Sequence, residues 1–191
     1  MFEKMTTLEK WLPLIETERT HIHITQTYMA ETLLDYKIKN RDRFQLVEPH
    51  REANYYELQS TKQRIENMQL EMQQEKSFCL IATLKNNQNI IASVNFVLFR
   101  YAAAQSCSLG YSIDQDFEGQ GLMYEIVKSA IEYVRDHFQI HRITADHLVQ
   151  NHKSQKILAR LGFEKIGLAR SSVFINGQWQ DQISHALIFD D

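Results

Sequence analysis

The sequence predicts an α/β fold, a mixed and mostly antiparallel sheet with helices on both faces. Three observations predict it. Residues 107–113, Cys-Ser-Leu-Gly-Tyr-Ser-Ile, alternate small or polar with apolar, and a glycine turn then leads into a helix-period stripe. Residues 142–149 read as the next strand, so a strand, helix, strand unit calls for a right-handed crossover and a parallel pair. Finally, Asn176-Gly177 separates two β-rich runs and marks a closing hairpin.

Each element has its own signal. Residues 1–18 read as a lead-in with a short helix around 8–15. Residues 20–25, Thr-His-Ile-His-Ile-Thr, alternate as a strand, with His21 and His23 on one face, expected to be solvated rather than a metal pair. Residues 29–40 carry Ala30, Leu33, Leu34 and Ile38 at helical spacing, and an irregular stretch over 41–49 ends at Pro49. Ser60 with Gln63 forms a capping-box pattern that opens a helix with Ile65, Met68 and Met72 inside.

Residues 77–84 and 90–100 form a hairpin across Asn86–Asn89, and a third antiparallel strand, 107–113, follows the small-residue loop 102–106. The helix after the glycine turn buries Ile126, Val127, Ala130, Ile131, Val134 and Phe138. Residues 151–154, Asn-His-Lys-Ser, start another helix with Ile157, Leu158 and Leu161 on its stripe and Gly162 at its end. Residues 170–175 and 178–189 close the chain as the hairpin, and the parallel join falls between the fourth and fifth strands.

Composition sets outer bounds. The 191 residues are expected to form one domain, 1–191, with its core over about 18–188. A hydrophobic content of 43% and a charged content of 24% are ordinary for a soluble globular protein. A net charge of −3 argues against direct nucleic-acid binding. Cys79 and Cys107 fall in apolar runs and read as buried thiols of a reducing cytoplasm. No signal-peptide core and no membrane-spanning run is expected. A monomer or weak homodimer is expected.

The glycine turn is the first candidate site. Gly119 and Gly121 bracket Gln120 where a strand meets a helix, so backbone N–H groups and the positive helix end face outward, a seat for phosphate. No Gly-Lys-Ser/Thr follows, and the third glycine of a dinucleotide fingerprint would fall at Tyr124. A shorter phosphate cradle remains, or a plain strand-to-helix turn.

The residues of this turn, Asp116-Phe-Glu-Gly-Gln-Gly-Leu-Met123, resemble the acyl-CoA pyrophosphate loop of the GNAT N-acetyltransferases. Asn151-His-Lys-Ser154 followed by Leu161-Gly-Phe163 resembles the second signature helix of that family. Residues 109–113, 119–123, 140–143, 158–165 and 176–179 are similar to the ribosomal-protein alanine N-acetyltransferases, the subgroup acting on small-subunit protein S5. The resemblance implies the GNAT fold, acetyl-CoA as co-substrate, no metal, and an amine acceptor, the N-terminus of a protein. The strands ending near Ile113 and Val149 should diverge into a wedge, where α/β sheets prefer to bind ligands.

The resemblance places pantetheine along the backbone of Tyr111, Ser112 and Ile113. Pyrophosphate would lie on the N–H groups of Glu118, Gly119, Gln120, Gly121, Leu122 and Met123, with the Glu118 side chain in solvent. Asn151 would contact the pantetheine amide, cap its own helix, or do both. Asp116 stands where the family often has a basic or polar residue. The family's tyrosine seven residues after the asparagine is here Leu158, and the resemblance to the ribosomal-protein subgroup, which uses a serine at the place of Ser154, implies Ser154 as the proton donor to the leaving thiolate; the alternative is an early-helix hydroxyl bonded to local backbone.

A backbone N–H near Tyr111 or Ser112 would stabilise the oxyanion. Glu48 is the first candidate base, and Asp146 and Asp181 are alternatives. Tyr101, Tyr111 and Tyr124 read as packing side chains, Cys107 has no predictable activating partner, and His141, His147 and His152 lack zinc spacing. Two alternatives stay open, acetylation of a small amine and a non-catalytic acyl-CoA-binding module.

Overall fold

A computed structural model describes residues 11–189. Its strands form one eight-stranded sheet in the order β1-β2-β3-β4-β5-β6-β8-β7. Strands β1 (Ile15–Glu16), β2 (Thr20–Ile24), β3 (Ser77–Leu84), β4 (Ile90–Arg100) and β5 (Ser106–Ile113) pair antiparallel in succession. Helix α4 (Leu122–Phe138) then carries the chain to β6 (Arg142–Leu148), which lies parallel to β5. After α5 (His152–Arg160), β7 (Glu164–Ile175) and β8 (Gln178–Ile188) form the hairpin, and β8 pairs antiparallel with β6.

Two layers of side chains hold helices against the two sheet faces. On β3, Phe78, Leu80 and Ala82 share a cluster with Ile126, Val127, Ala130 and Val134 of α4. Ile81 points the other way and joins Leu33 and Tyr36 of α1 (Ala30–Lys39) and Ile65 of α3 (Leu58–Gln73). Two covered faces explain why β3 is an almost unbroken apolar run rather than an alternating one.

Several expectations need correction. Residues 8–10 of the expected first helix lie outside the described residues, and its last residue, Ile15, is in β1. His23 is buried rather than solvated; its ring faces the Leu12 carbonyl and the Thr83 hydroxyl. In α1 the inner face is Ala30, Leu33 and Tyr36, which leaves Ile38 half exposed. The stretch expected to be irregular after Asn40 begins with one helical turn, α2 (Arg41–Phe44).

The Ser60/Gln63 capping box is not used. A 3₁₀ turn over Ala53–Tyr56 delivers the chain early, so α3 starts at Leu58 and Ser60 falls within its first turn. Thr61 closes that turn instead, with its amide and hydroxyl both donating to the Glu57 carbonyl, at 2.9 and 3.0 Å. Strand β7 also begins at Glu164, six residues before the expected start. Among the described residues no helix is long and apolar enough to cross a membrane.

Candidate active site

The parallel pair is short. β5 and β6 align only at Ser106–Arg142, Cys107–Ile143 and Ser108–Thr144. Beyond Ser108, β5 stays with β4 and β6 stays with β8 as far as Leu148, so a gap opens between them. The Asp114 N–H donates to the Ile91 carbonyl at 2.7 Å. Antiparallel ladders alternate, so Gly110 and Ser112 also turn their N–H groups toward β4, while Leu109, Tyr111 and Ile113 turn theirs into the gap. This narrows the strand-edge expectation: Tyr111 and Ile113 face the gap, and the Ser112 N–H does not.

A cavity of about 360 Å³ occupies the opening. Glu48, Tyr111, Ser112, Ile113, Glu118, Met123, Asn151 and Ser154 all reach its wall. On its α5 side, the Asn151 carboxamide oxygen accepts from the Ser154 amide at 3.1 Å, capping the helix. That cap leaves the Asn151 NH₂ group for another acceptor. The Ser154 hydroxyl is not spent on local backbone; it lies 2.7 Å from the Tyr111 hydroxyl. Burial pushes the Tyr111 phenol up to about 12, with the Ser154 contact opposing in part. The pair is therefore neutral and proton-bearing at physiological pH.

The glycine turn lies at one end of the gap. Gly119 and Gly121 have φ of +73° and +77°, the left-handed region where a Cβ is strained. Gly121 is the N-cap of α4, so the first amides of that helix point outward without carbonyl partners. Glu118 departs from expectation. Its N–H closes a 3₁₀ turn onto the Gln115 carbonyl at 3.3 Å, so it is not free for a ligand. Its carboxylate does not point to solvent but pairs with Arg43 at 2.7 Å and with Lys153. Asp116 is likewise engaged, at 2.6 Å from Lys39, which also holds buried Asp114 at 2.7 Å.

Sequence reasoning missed the residues that hold this turn from outside. Arg19, ahead of β2, donates to the Gln120 carbonyl at 2.9 Å and pairs with Glu125 at 2.7 Å. Buried Asn40, at the end of α1, accepts from the Gln115 amide at 3.1 Å. Neither position carries a local signal, because both act only once distant elements meet.

A second cavity, of about 340 Å³, lies on the side of α1 and α3. It shares Glu48, Gly110, Tyr111 and Ser112 with the first. Gly110 has no atom within 4 Å of where a Cβ would stand, so the strand backbone is accessible there. The Ser112 hydroxyl bonds Tyr36 at 2.8 Å on this side. Glu48 sits between Lys37 at 3.6 Å and Arg51 at 3.8 Å. The tip of the β7–β8 hairpin reaches the same segment, with the Asn176 NH₂ donating to the Gln45 carbonyl at 3.1 Å.

Other candidates fall away from this centre. Asp181 accepts from the Ser171 amide at 2.8 Å and lines neither cavity, whereas exposed Asp146 borders the first. Tyr101 donates to the Glu75 carbonyl, and Tyr124 lies under the Arg160 guanidinium. Cys107 is buried, its thiol pushed up to about 12, which leaves it un-ionised. Leu158 is fully buried in the core.

Comparisons with known proteins place the chain among acetyltransferases. The family described as acetyltransferase (GNAT) domain matches residues 27–164. The [Ribosomal protein uS5]-alanine N-acetyltransferase of Escherichia coli (strain K12) is 33% identical over 93% of this chain and 91% of its own length. The probable N-acetyltransferase YjcK of Bacillus subtilis (strain 168) is 29% identical over 85% of this chain and 90% of its own. The solved ribosomal-protein-S5-alanine acetyltransferase of Vibrio fischeri superposes with a TM-score of 0.89 at 30% identity, covering 93% of this chain and 97% of that one. With an eight-stranded sheet split at its parallel pair and relatives of that kind along nearly its whole length, the chain belongs to the GNAT family of N-acetyltransferases.

Proposed function

We propose that this enzyme moves the acetyl group of acetyl-CoA to the α-amino group at the N-terminus of a ribosomal protein, within one ternary complex in the cytoplasm. The observation that carries the reading is the meeting of two cavities at residues 110–112, one on each side of β5. The activity that names the E. coli relative, acetylation of an alanine of protein uS5, supports the acceptor class.

The residues present fit acetyl-CoA. Outward amides from Gly119 to Met123, with Arg19 beside them, suit a pyrophosphate. The unpaired edge at Tyr111 and Ile113, with the Asn151 NH₂ group opposite, suits a pantetheine arm. Bound there, acetyl-CoA supplies an activated thioester. The Tyr111 N–H then donates to the acetyl carbonyl oxygen and holds its growing negative charge. Ser154, in contact with Tyr111, donates a proton or hydrogen bond to the departing sulfur.

Glu48 borders both cavities and accepts the proton of the incoming amine, directly or through water. A peptide α-amine has a reference pKa of about 8, so roughly a tenth is already neutral at pH 7. Lys37, Arg51 and Arg64 around it favour the neutral form further, since like charge disfavours an ammonium. The same lining opposes a polyamine acceptor. Buried Leu158 removes the family's usual tyrosine, and the Tyr111–Ser154 pair stands in its place, which supports a catalytic reading over a binding module.

A screen of amine acceptors with thiol release as the readout tests this. Short peptides beginning with Ala or Ser should be acetylated on their α-nitrogen. Turnover confined to small amines would refute the reading.

A further inference from the structure

The acceptor-side cavity carries more positive charge than its own residues offset. Lys37, Arg51 and Arg64 line it against one carboxylate, Glu48. Glu48 is shared at 3.6 Å from Lys37 and 3.8 Å from Arg51, both beyond good hydrogen-bond length. Arg64 has no acidic partner among the described residues. It donates to the Thr61 hydroxyl at 2.8 Å and lies 3.8 Å from the Tyr55 ring centre.

Arg51 stands over the same ring at 4.9 Å, and its Nε is buried with no hydrogen-bond partner among the described residues. Burial, with Arg51 and Arg64 nearby, holds the Lys37 amine below the usual lysine range despite Glu48. Clustered, partly desolvated cations are unfavourable until an anion joins them. Beyond this cluster, Arg51, Tyr55 and Arg64 also line a shallower recess with His50, Asn54 and Gln63, so the cavity continues outward past them. A chain whose amine reaches β5 would leave along these residues.

We propose that Lys37, Arg51 and Arg64 receive a carboxylate of the acceptor, so that the enzyme selects protein N-termini with an aspartate or glutamate a few residues behind the reacting amine. This rests on the α-amine reading above. It adds a sequence preference set by charge, with two guanidiniums braced on one aromatic ring.

The test uses the full chain and hexapeptide amides starting with Ala, in which one Glu is moved through positions 2 to 5 against Gln at the same place. At one or two of these positions Glu should raise kcat/KM about tenfold, the effect of one charge-assisted contact of about 1.4 kcal/mol. The advantage should shrink with added salt and collapse in Arg64→Gln and in Arg51→Gln, while the affinity for coenzyme A, measured by calorimetry, stays the same. Equal rates for Glu and Gln at every position would overturn this inference and leave α-amine acetylation standing. In a parallel arm with Ala-starting dipeptides, free or amidated at the C-terminus, a preference only for the free carboxylate would overturn it too, by assigning the anion to a short acceptor. Acetylation of no peptide would overturn the inference together with the reading beneath it.

Discussion

The Tyr111 hydroxyl and the Ser154 hydroxyl lie 2.7 Å apart across the gap between β5 and α5. The contact joins a strand side chain to a helix that begins three residues before the serine, at the Asn151 cap. With the phenol pushed up to about 12, the pair holds its protons. Ser154→Ala should lower kcat by about 100-fold, the scale of a lost proton donor, and change coenzyme A affinity far less. Tyr111→Phe should act in the same direction. The double variant should cost less than the product of the two, because each single change already breaks the pair. Steady-state kinetics on the three variants check this; equal losses in kcat and coenzyme A affinity would make Ser154 a binding residue only.

The cradle depends on a glycine with φ of +77° whose added Cβ would lie 3.7 Å from the Arg19 guanidinium. Gly121→Glu brings in backbone strain of about 1 kcal/mol or more and a carboxylate where anionic phosphates should sit. Coenzyme A binding should fall below detection by calorimetry while the fold, followed by circular dichroism, persists. Gly121→Ala should show the strain alone, with a smaller loss.

Gly110 tests the acceptor side. Its missing side chain leaves open space beside the strand backbone at the junction of the two cavities. Gly110→Val should fold and bind coenzyme A, because nothing lies within 4 Å of the new Cβ. It should raise the acceptor KM at least tenfold by filling the approach to Tyr111. Separate titrations of donor and acceptor distinguish these effects.

Stability should fall on the acid side of neutrality. Burial lowers the pKa of His23 and of His185, with His21 and His147 as further lowering neighbours. The native state therefore binds fewer protons than the unfolded chain, whose histidines titrate at about 6.5. Both contributions are present above that pH and are lost as pH falls through it toward the depressed native values. Urea midpoints at pH 7.5 and 5.5 should differ for the native sequence, and His185→Gln should narrow the difference.

The sheet, the crossover and the glycine turn were legible because each is written in consecutive residues. A period of two followed by a period of 3.6 across Gly119 and Gly121 needs no knowledge of the rest of the chain. The hairpin at Asn176-Gly177 was equally local, with φ of +51° and +77° as that turn demands. What stayed hidden is assembled from distant segments. Arg19 reaches the cradle only because β2 and α4 come together, 101 residues apart along the chain at the Gln120 contact.

The charge of the second cavity was hidden for the same reason. Lys37 comes from α1, Arg64 from α3, and Glu48 and Arg51 from the segment between them, and no spacing rule links them. Glu118 misled for a different reason. Beside a presumed phosphate seat its carboxylate looked solvent-bound, but Arg43 and Lys153 arrive from two helices and hold it.

Donor and acceptor should occupy the two cavities at once and meet at Tyr111. Initial rates with acetyl-CoA and an Ala-starting peptide varied together measure this most directly. The double-reciprocal lines should intersect, and the acetyl group should be found on the peptide α-nitrogen. Parallel lines, the mark of an acetylated enzyme formed before the peptide binds, would contradict it.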